Sequence, residues 1–218
     1  MALAVLFLTA VLSSQATAAS FHGYSHAWES SGNYAGISNT RIDRAVGGLP
    51  SDGCSQPYSG TPVYETMWLQ YSPGNNYELG TGHQCGDQYR YWFWGLSVNS
   101  TFYSLGYQTG ITNDNSHTFR MDRVLSGFSG YQIYYRIDGA TKKTYPTSAA
   151  NFVDLDVGLE SYCQTCTVSA YSNSSLKFKV NDTWSNWAGR DGQQVNDPPM
   201  CGSWLSDTSW RSGEVASC

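Results

Sequence analysis

Carboxyl groups are scarce in this chain, and two glutamates lie in apolar segments, where a charged side chain is unusual. Among 218 residues there are only 17 Asp and Glu residues. Glu78 lies in the run YELGTG and Glu160 in the run DVGLES, both apolar and bounded by glycine. A carboxylate in such a segment costs free energy unless it is paired, protonated or facing a cleft. The simpler alternative is that each points into solvent from the polar side of its strand.

Other chemistry is poorly supported by the sequence. His22 and His26 have i, i+4 spacing, but no helical pattern surrounds them and no H-E-x-x-H motif is present. His83 and His117 have no nucleophile motif such as G-x-S-x-G nearby. The glycines do not form a phosphate-binding loop before a helix. We therefore expect no metal site and no cofactor.

The cysteines and the first residues predict export. Residues 3–12 form an apolar run that is followed by Ala16-Thr17-Ala18-Ala19, which predicts a signal peptide over residues 1–19 and an extracellular protein. Six cysteines follow it, an even number that predicts three disulfides without fixing their pairing: Cys54, Cys85, Cys163, Cys166, Cys201 and Cys218. Sequons at Asn99, Asn173 and Asn181 would allow N-glycosylation in a eukaryotic host.

Residues 20–218 are predicted to form a single all-β domain. Runs with period-2 alternation or many aromatic and β-branched residues occur at 64–71, 89–94, 118–124, 131–137, 152–162 and 176–180. Asp138-Gly139 predicts a tight hairpin turn, because a two-residue loop needs positive φ angles. No window after residue 20 has a helical apolar stripe. We therefore predict an antiparallel β-sandwich of the jelly-roll, concanavalin-like type.

Composition also limits the partners. The net charge of −5 argues against nucleic-acid and anionic-membrane partners, because these require a basic footprint. No later run is long enough to span a bilayer. We expect a soluble monomer. Near the C-terminus, Trp204 and Trp210 could form a platform on which sugar rings stack, or they could close one end of the sandwich.

Three segments together resemble neprosin-like and glutamic-peptidase-like secreted β-sandwich proteins. They are SGNYAG at residues 31–36, YELGT at 77–81 and the aromatic run YRYWFW at 89–94. The resemblance implies that Glu78 and Glu160 are a catalytic pair, with Glu78 in place of the glutamine of the Gln/Glu peptidases. It also implies that Gln70 or Tyr91 stabilises the oxyanion.

A pair of this kind would hydrolyse peptide bonds at acidic pH. Two close carboxyl groups do not ionise equally, so one acts as base and the other as acid. The alternatives are a glycoside hydrolase that uses the same two groups and a non-catalytic lectin-like module that binds glycans through its aromatic residues. The expected partner is therefore a protein, a peptide or a glycan.

Overall fold

A computed structural model describes residues 22–30, 32–47, 63–84, 89–111, 115–127, 130–163, 166–187, 190–195, 199–216 and 218. In these ranges nearly every residue belongs to a strand and no α-helix occurs, which confirms the predicted all-β class. The described residues include no helix of the length and apolarity needed to cross a bilayer. The predicted signal peptide, Cys54 and Cys85 lie outside the described residues.

One sheet, the front sheet, carries the candidate active site. It has seven antiparallel strands in the spatial order β14 (Gly192–Val195), β1 (Gly23–Glu29), β11 (Asp154–Ser161), β4 (Val63–Ser72), β5 (Asn75–Gln84), β6 (Tyr89–Val98) and β7 (Thr101–Thr109).

The other sheet, the back sheet, has nine strands. Its main path is β10 (Ala140–Thr147), β9 (Tyr131–Ile137), β8 (Ser116–Leu125), β2 (Gly36–Ile42), β12 (Thr167–Val180), β16 (Ser209–Glu214) and β15 (Met200–Ser206). Two short strands, β3 (Val46–Gly47) and β13 (Thr183–Asn186), also pair with β12. The two sheets confirm the predicted sandwich.

Alternation along the strands decides which side chains fill the space between the sheets. In β4, Met67 and Leu69 are fully buried in the core, whereas Tyr64, Thr66 and Trp68 point to the outer face. The back sheet contributes a matching apolar face that includes Ile37, Phe119, Met121 and Tyr135. The outer face of the front sheet is therefore not needed for packing against the back sheet, and its side chains can contact a ligand.

The predicted strand runs and the hairpin are present. Each of the six runs falls largely on a strand: β4, β6, β8, β9, β11 and β12. Asp138 and Gly139 join β9 to β10 with φ angles of 52° and 78°, so both turn residues have the positive φ that the dipeptide predicts. Two of the predicted disulfides are formed, between Cys163 and Cys166 and between Cys201 and Cys218.

The core also contains a charged side chain on the inner face of β4. Glu65 is 1% exposed and lies 2.5 Å from the Arg44 guanidinium and 3.6 Å from Nε2 of His83. Burial alone would raise the pKa of Glu65, but Arg44 and His83 outweigh burial and lower it to about 2. Glu65 is therefore an ionised, paired group inside the sandwich.

Candidate active site

Glu78 and Glu160 both point to the outer face of the front sheet. Glu160 on β11 lies opposite Tyr64 of β4, and Glu78 on β5 lies opposite Trp68 of the same strand. Because β4 runs between β11 and β5, the two glutamates reach a common surface from either side of it. The β pairing therefore brings together two residues that are 82 positions apart in the chain.

The two glutamates line one cleft of about 490 Å³. The polar side chains of Asn76, Ser97 and Ser100 also line this cleft. The aromatic wall of the cleft is formed by the rings of His22, Tyr64, Trp68, Phe93, Phe102 and Tyr162. A mostly apolar cleft with few polar groups is the usual form of a ligand site. The two predicted glutamates thus line the same cleft.

The environment of Glu78 favours its protonated form. The side chain is mostly buried. The Thr66 hydroxyl donates a hydrogen bond to its Oε1 at 2.7 Å, which by itself lowers the pKa of Glu78. Burial, and then the negative charge of Glu160, raise the pKa of Glu78 to about 7. Glu78 can therefore keep a proton through the acidic range.

A buried histidine lies beside Glu160. Nδ1 of His26 is 2.8 Å from Asp156 Oδ1, and its Nε2 is 3.6 Å from Glu160 Oε1. Nε2 is buried and has no hydrogen-bond partner among the described residues. Burial lowers the pKa of His26, but Asp156 and Glu160 outweigh this effect and raise it to about 9. His26 is therefore a cation next to Glu160 at neutral pH.

Gly158 makes room for this histidine. It lies opposite His26 across the β1 and β11 pair, between Asp156 and Glu160 on the same face of β11. A Cβ at Gly158 would lie 2.6 Å from two atoms of the imidazole ring, much closer than side chains approach. The glycine thus allows the ring to lie between the two carboxylates.

The aromatic wall continues from Glu160 along the cleft. His22 stacks on Tyr162, with ring centroids 4.4 Å apart and planes 5° apart. Tyr162 contacts Tyr64 edge-on, and Tyr64 contacts Phe93 in the same way at 5.6 Å. These rings offer an apolar surface to one side of the carboxyl groups.

The structure does not bring Gln70 and Tyr91 to the cleft. Gln70 lies on β4 beyond Trp68, opposite Asp154 and Asn76, and is not among the residues that line the cleft. Tyr91 is buried on β6, where its ring packs against those of Phe93 and Tyr107. The oxyanion role predicted for these two residues is not supported by their positions. Asn76 is the amide side chain that does line the cleft.

Trp204 and Trp210 do not form an exposed platform. Trp210 is fully buried and contacts the ring of Trp204 at 5.4 Å. Trp204 is half-buried and also contacts Trp187, which belongs to the main core. Because Trp210 is fully buried, it has no face on which a sugar ring could stack, and both residues belong to an aromatic cluster with Trp187.

The three sequons differ in exposure. Asn99 and Asn181 are exposed in turns with positive φ angles. Asn173 is 1% exposed, and its Oδ1 accepts a hydrogen bond from Asn39 at 2.8 Å. The predicted glycosylation of Asn173 is therefore incompatible with the folded chain, whereas Asn99 and Asn181 stay predictions.

Sequence reasoning missed His26 and Asp156. The i, i+4 spacing of His22 and His26 does not fit a helical metal motif, but residues four apart also share one face of a strand. The alternation of His22, Tyr24, His26 and Trp28 was the signal that could have found this face. Pairing with Asp156, 130 residues away, had no local signal.

Solved structures of glutamic peptidases share this architecture. Scytalido-glutamic peptidase with a peptide-based transition-state analogue has a TM-score of 0.58 at 10% sequence identity, and the match covers 88% of this chain and 98% of that chain. SCP-B, an eqolisin-family peptidase in complex with the tripeptide Ala-Ile-His, has a TM-score of 0.57 at 11% identity with the same coverage. This likeness shows the fold, and the predicted glutamic-peptidase-like sandwich is confirmed at that level. No protein-family profile matches the sequence, and no curated protein does.

Proposed function

We propose that this protein is a glutamic-peptidase-like hydrolase in which Glu160 is the general base and Glu78 is the general acid. The observation that carries the proposal is that both carboxyl groups line one cleft but have opposite surroundings. Glu160 has an imidazolium beside it, whereas Glu78 has a hydroxyl and a buried site. Such a difference separates the protonation of two carboxyl groups, which acid and base catalysis requires.

The reaction follows from these protonation states. Ionised Glu160 removes a proton from a water molecule, and the water oxygen attacks the carbonyl carbon of the scissile peptide bond. Protonated Glu78 then gives its proton to the leaving nitrogen as the C–N bond breaks. The proton on Glu160 is passed on to Glu78 through solvent, which restores the starting state.

The negative oxygen of the tetrahedral intermediate needs a donor in the cleft. Asn76 is two residues from Glu78 on the same face of β5, and its amide group can donate there. We assign the oxyanion role to Asn76 in place of Gln70.

His26 and Asp156 have a supporting role in this scheme. Asp156 fixes the orientation of the imidazole through Nδ1, and Nε2 faces Glu160. The imidazolium thus places a positive charge 3.6 Å from the carboxylate of the proposed base. His26 is thus a positioning residue rather than one that reacts with the substrate.

The aromatic wall indicates the substrate. Rings of Tyr64, Phe93, Phe102 and Tyr162 line the cleft beside the carboxyl groups. We propose that they bind a bulky apolar side chain of a peptide next to the cleaved bond. A glutamate at position 78 corresponds to the double-glutamate arrangement of neprosin-like proteins, and the two disulfides are consistent with a secreted enzyme.

The test is proteolysis of a denatured protein substrate at a series of pH values. The wild-type activity should fall as the pH rises above about 7, because Glu78 then loses its proton. Glu160→Gln should lose about 10³-fold in kcat/KM. Glu78→Gln should lose activity as well, and its remaining activity should no longer decline above pH 7.

Asp154→Asn is the matched control, because Asp154 lies on the same face of β11 as Glu160 but does not line the cleft. The control should keep wild-type activity. Full activity of Glu78→Gln and Glu160→Gln would refute the proposal. Release of reducing sugar from a polysaccharide, with no peptide cleavage, would instead identify a glycoside hydrolase.

A further inference from the structure

A second cleft, of about 470 Å³, lies on the outer face of the back sheet, away from the candidate active site. Its wall contains two hydroxyl groups, three cations and an indole ring: Ser38, Thr118, Arg120, Arg136, Lys177 and Trp184. None of these residues has a part in the proposed hydrolysis. We call this cleft the back groove.

The cations of the back groove lie in one row across four strands. Arg136 of β9 lies opposite Arg120 of β8, Arg120 lies opposite Ser38 of β2, and Ser38 lies opposite Lys177 of β12. Neighbouring strands are about 4.8 Å apart, so the row is roughly 14 Å long. The positive charges therefore form a line at right angles to the strands.

This arrangement has a cost for the fold. Like charges directly opposite each other on neighbouring strands are destabilising. Asp122, which is 1% exposed, is the only carboxylate that contacts Arg120 and Arg136 in the described residues, and Lys179 also lies 3.5 Å from it. Lys179 also contacts Asp182 at 2.8 Å, so two carboxylates face Arg120, Arg136 and Lys179. Lys177 adds a further positive charge at the groove.

The positive charge is concentrated on this side of the molecule. Strands β8, β9, β10 and β12 contain seven of the twelve Lys and Arg residues of the chain. The same strands and the turns that follow β9 and β12 contain three acidic residues, Asp122, Asp138 and Asp182. In a chain with a net charge of −5, these strands and turns together have a net positive charge.

We propose that the back groove binds a carboxylated polysaccharide, a glycan chain with an acid group on its sugar units. Asp122 shows that two guanidinium groups of the row can bind one carboxylate together. Arg120 donates hydrogen bonds to both oxygens of Asp122, at 3.0 and 3.1 Å. Guanidinium groups match carboxylates in this two-point geometry. A line of cations thus fits a chain that repeats such a group.

The other wall groups fit the sugar part of this ligand. The hydroxyls of Ser38 and Thr118 can exchange hydrogen bonds with sugar hydroxyls, and the Trp184 indole offers apolar surface. One face of Trp184 is covered by the Arg120 guanidinium at 4.5 Å, so the groove has no series of rings on which nucleic-acid bases could stack. A bilayer surface is flat and does not enter a groove.

The test is the affinity of the intact protein for an oligogalacturonate, with a neutral glucan as the comparison ligand. The wild type should bind the acidic chain, and salt should weaken the binding. Arg120→Gln with Lys177→Gln should weaken it about tenfold or more. This variant should fold, because Arg136 and Lys179 still neutralise Asp122 and Lys177 is exposed.

Lys142→Gln with Lys143→Gln is the matched control. It removes the same charge from the same side of the molecule, but Lys142 bonds Gln108 and neither lysine lines the groove. The control should retain most of the affinity, and Glu160→Gln should retain all of it, because the active site lies on the other sheet. Equal losses in both double variants, absence of binding, or equal binding of a single-stranded oligonucleotide would overturn the proposal.

Discussion

Two glutamates on neighbouring strands show how the pKa of the same side chain differs between the two faces of one sheet. Glu65 points from β4 into the core and Glu78 points from β5 into the cleft, and both are largely buried. The pKa of Glu65 is lowered to about 2, whereas that of Glu78 is raised to about 7. Burial opposes ionisation in both, so burial does not explain the difference.

The charged groups next to each glutamate explain the difference in pKa. Glu65 has a guanidinium at 2.5 Å and an imidazole at 3.6 Å, and this compensation makes it a structural ion. Glu78 has no guanidinium beside it among the described residues, and burial together with the negative charge of Glu160 keeps a proton on it, although the hydrogen bond from Thr66 acts in the opposite direction. A buried carboxyl group is therefore a candidate acid catalyst when no cation contacts it directly. In this site the nearby cation, His26, contacts Asp156 and Glu160.

The largest effect is expected from Glu65→Gln. The change leaves Arg44 and His83 buried without their carboxylate, so the free energy of unfolding in urea should fall by about 3 kcal/mol. The folded-state pKa of Glu65 lies below its unfolded value of about 4.5, so its contribution is present above that pH and is lost as the pH falls toward about 2. The variant should lack this acid dependence. An unchanged stability at neutral pH would show that the pair contributes nothing.

Glu78→Gln should have a smaller effect of opposite sign. The folded-state pKa of Glu78 lies above its unfolded value, so the wild type loses stability as the pH rises from about 4.5 through about 7. An amide avoids this loss, and the variant should be about 2 kcal/mol more stable than the wild type above pH 7. At pH 4 the two proteins should unfold at the same urea concentration. Glu214, whose pKa is also raised to about 7, is present in both proteins and cancels in the difference. A variant that is less stable at both pH values would contradict the assignment.

The smallest effect is expected from His26→Gln. Without the imidazolium, the proposed base Glu160 loses the cation that faces it at 3.6 Å. The value of kcat/KM should therefore fall about tenfold. Gly158→Ala, which crowds the imidazole, should change activity in the same direction. Titration of the His26 ring by NMR should show a pKa of about 9. A value near the ordinary 6.5 would show that Asp156 and Glu160 do not raise the pKa of His26.

Much of the fold could be predicted because alternation is a local property. The six strand runs and the Asp138-Gly139 turn need only the residues within them. The same local reading picked out Glu78 and Glu160 as unusual. It left two alternatives open for Trp204 and Trp210, since composition near a tryptophan does not state whether another element covers it.

By itself, the sequence determined the all-β class and predicted the disulfide cysteines, of which Cys163, Cys166, Cys201 and Cys218 are paired. It also marked Glu78 and Glu160 as unusual carboxyl groups. Only the tertiary structure decided which carboxylate meets a cation. Arg44 reaches Glu65 from outside the strands, and His26 meets Asp156 across 130 residues. The reason is physical: a strand's own residues set its faces, but the electrostatic environment on each face comes from strands that are distant in sequence and are brought together by burial of the core.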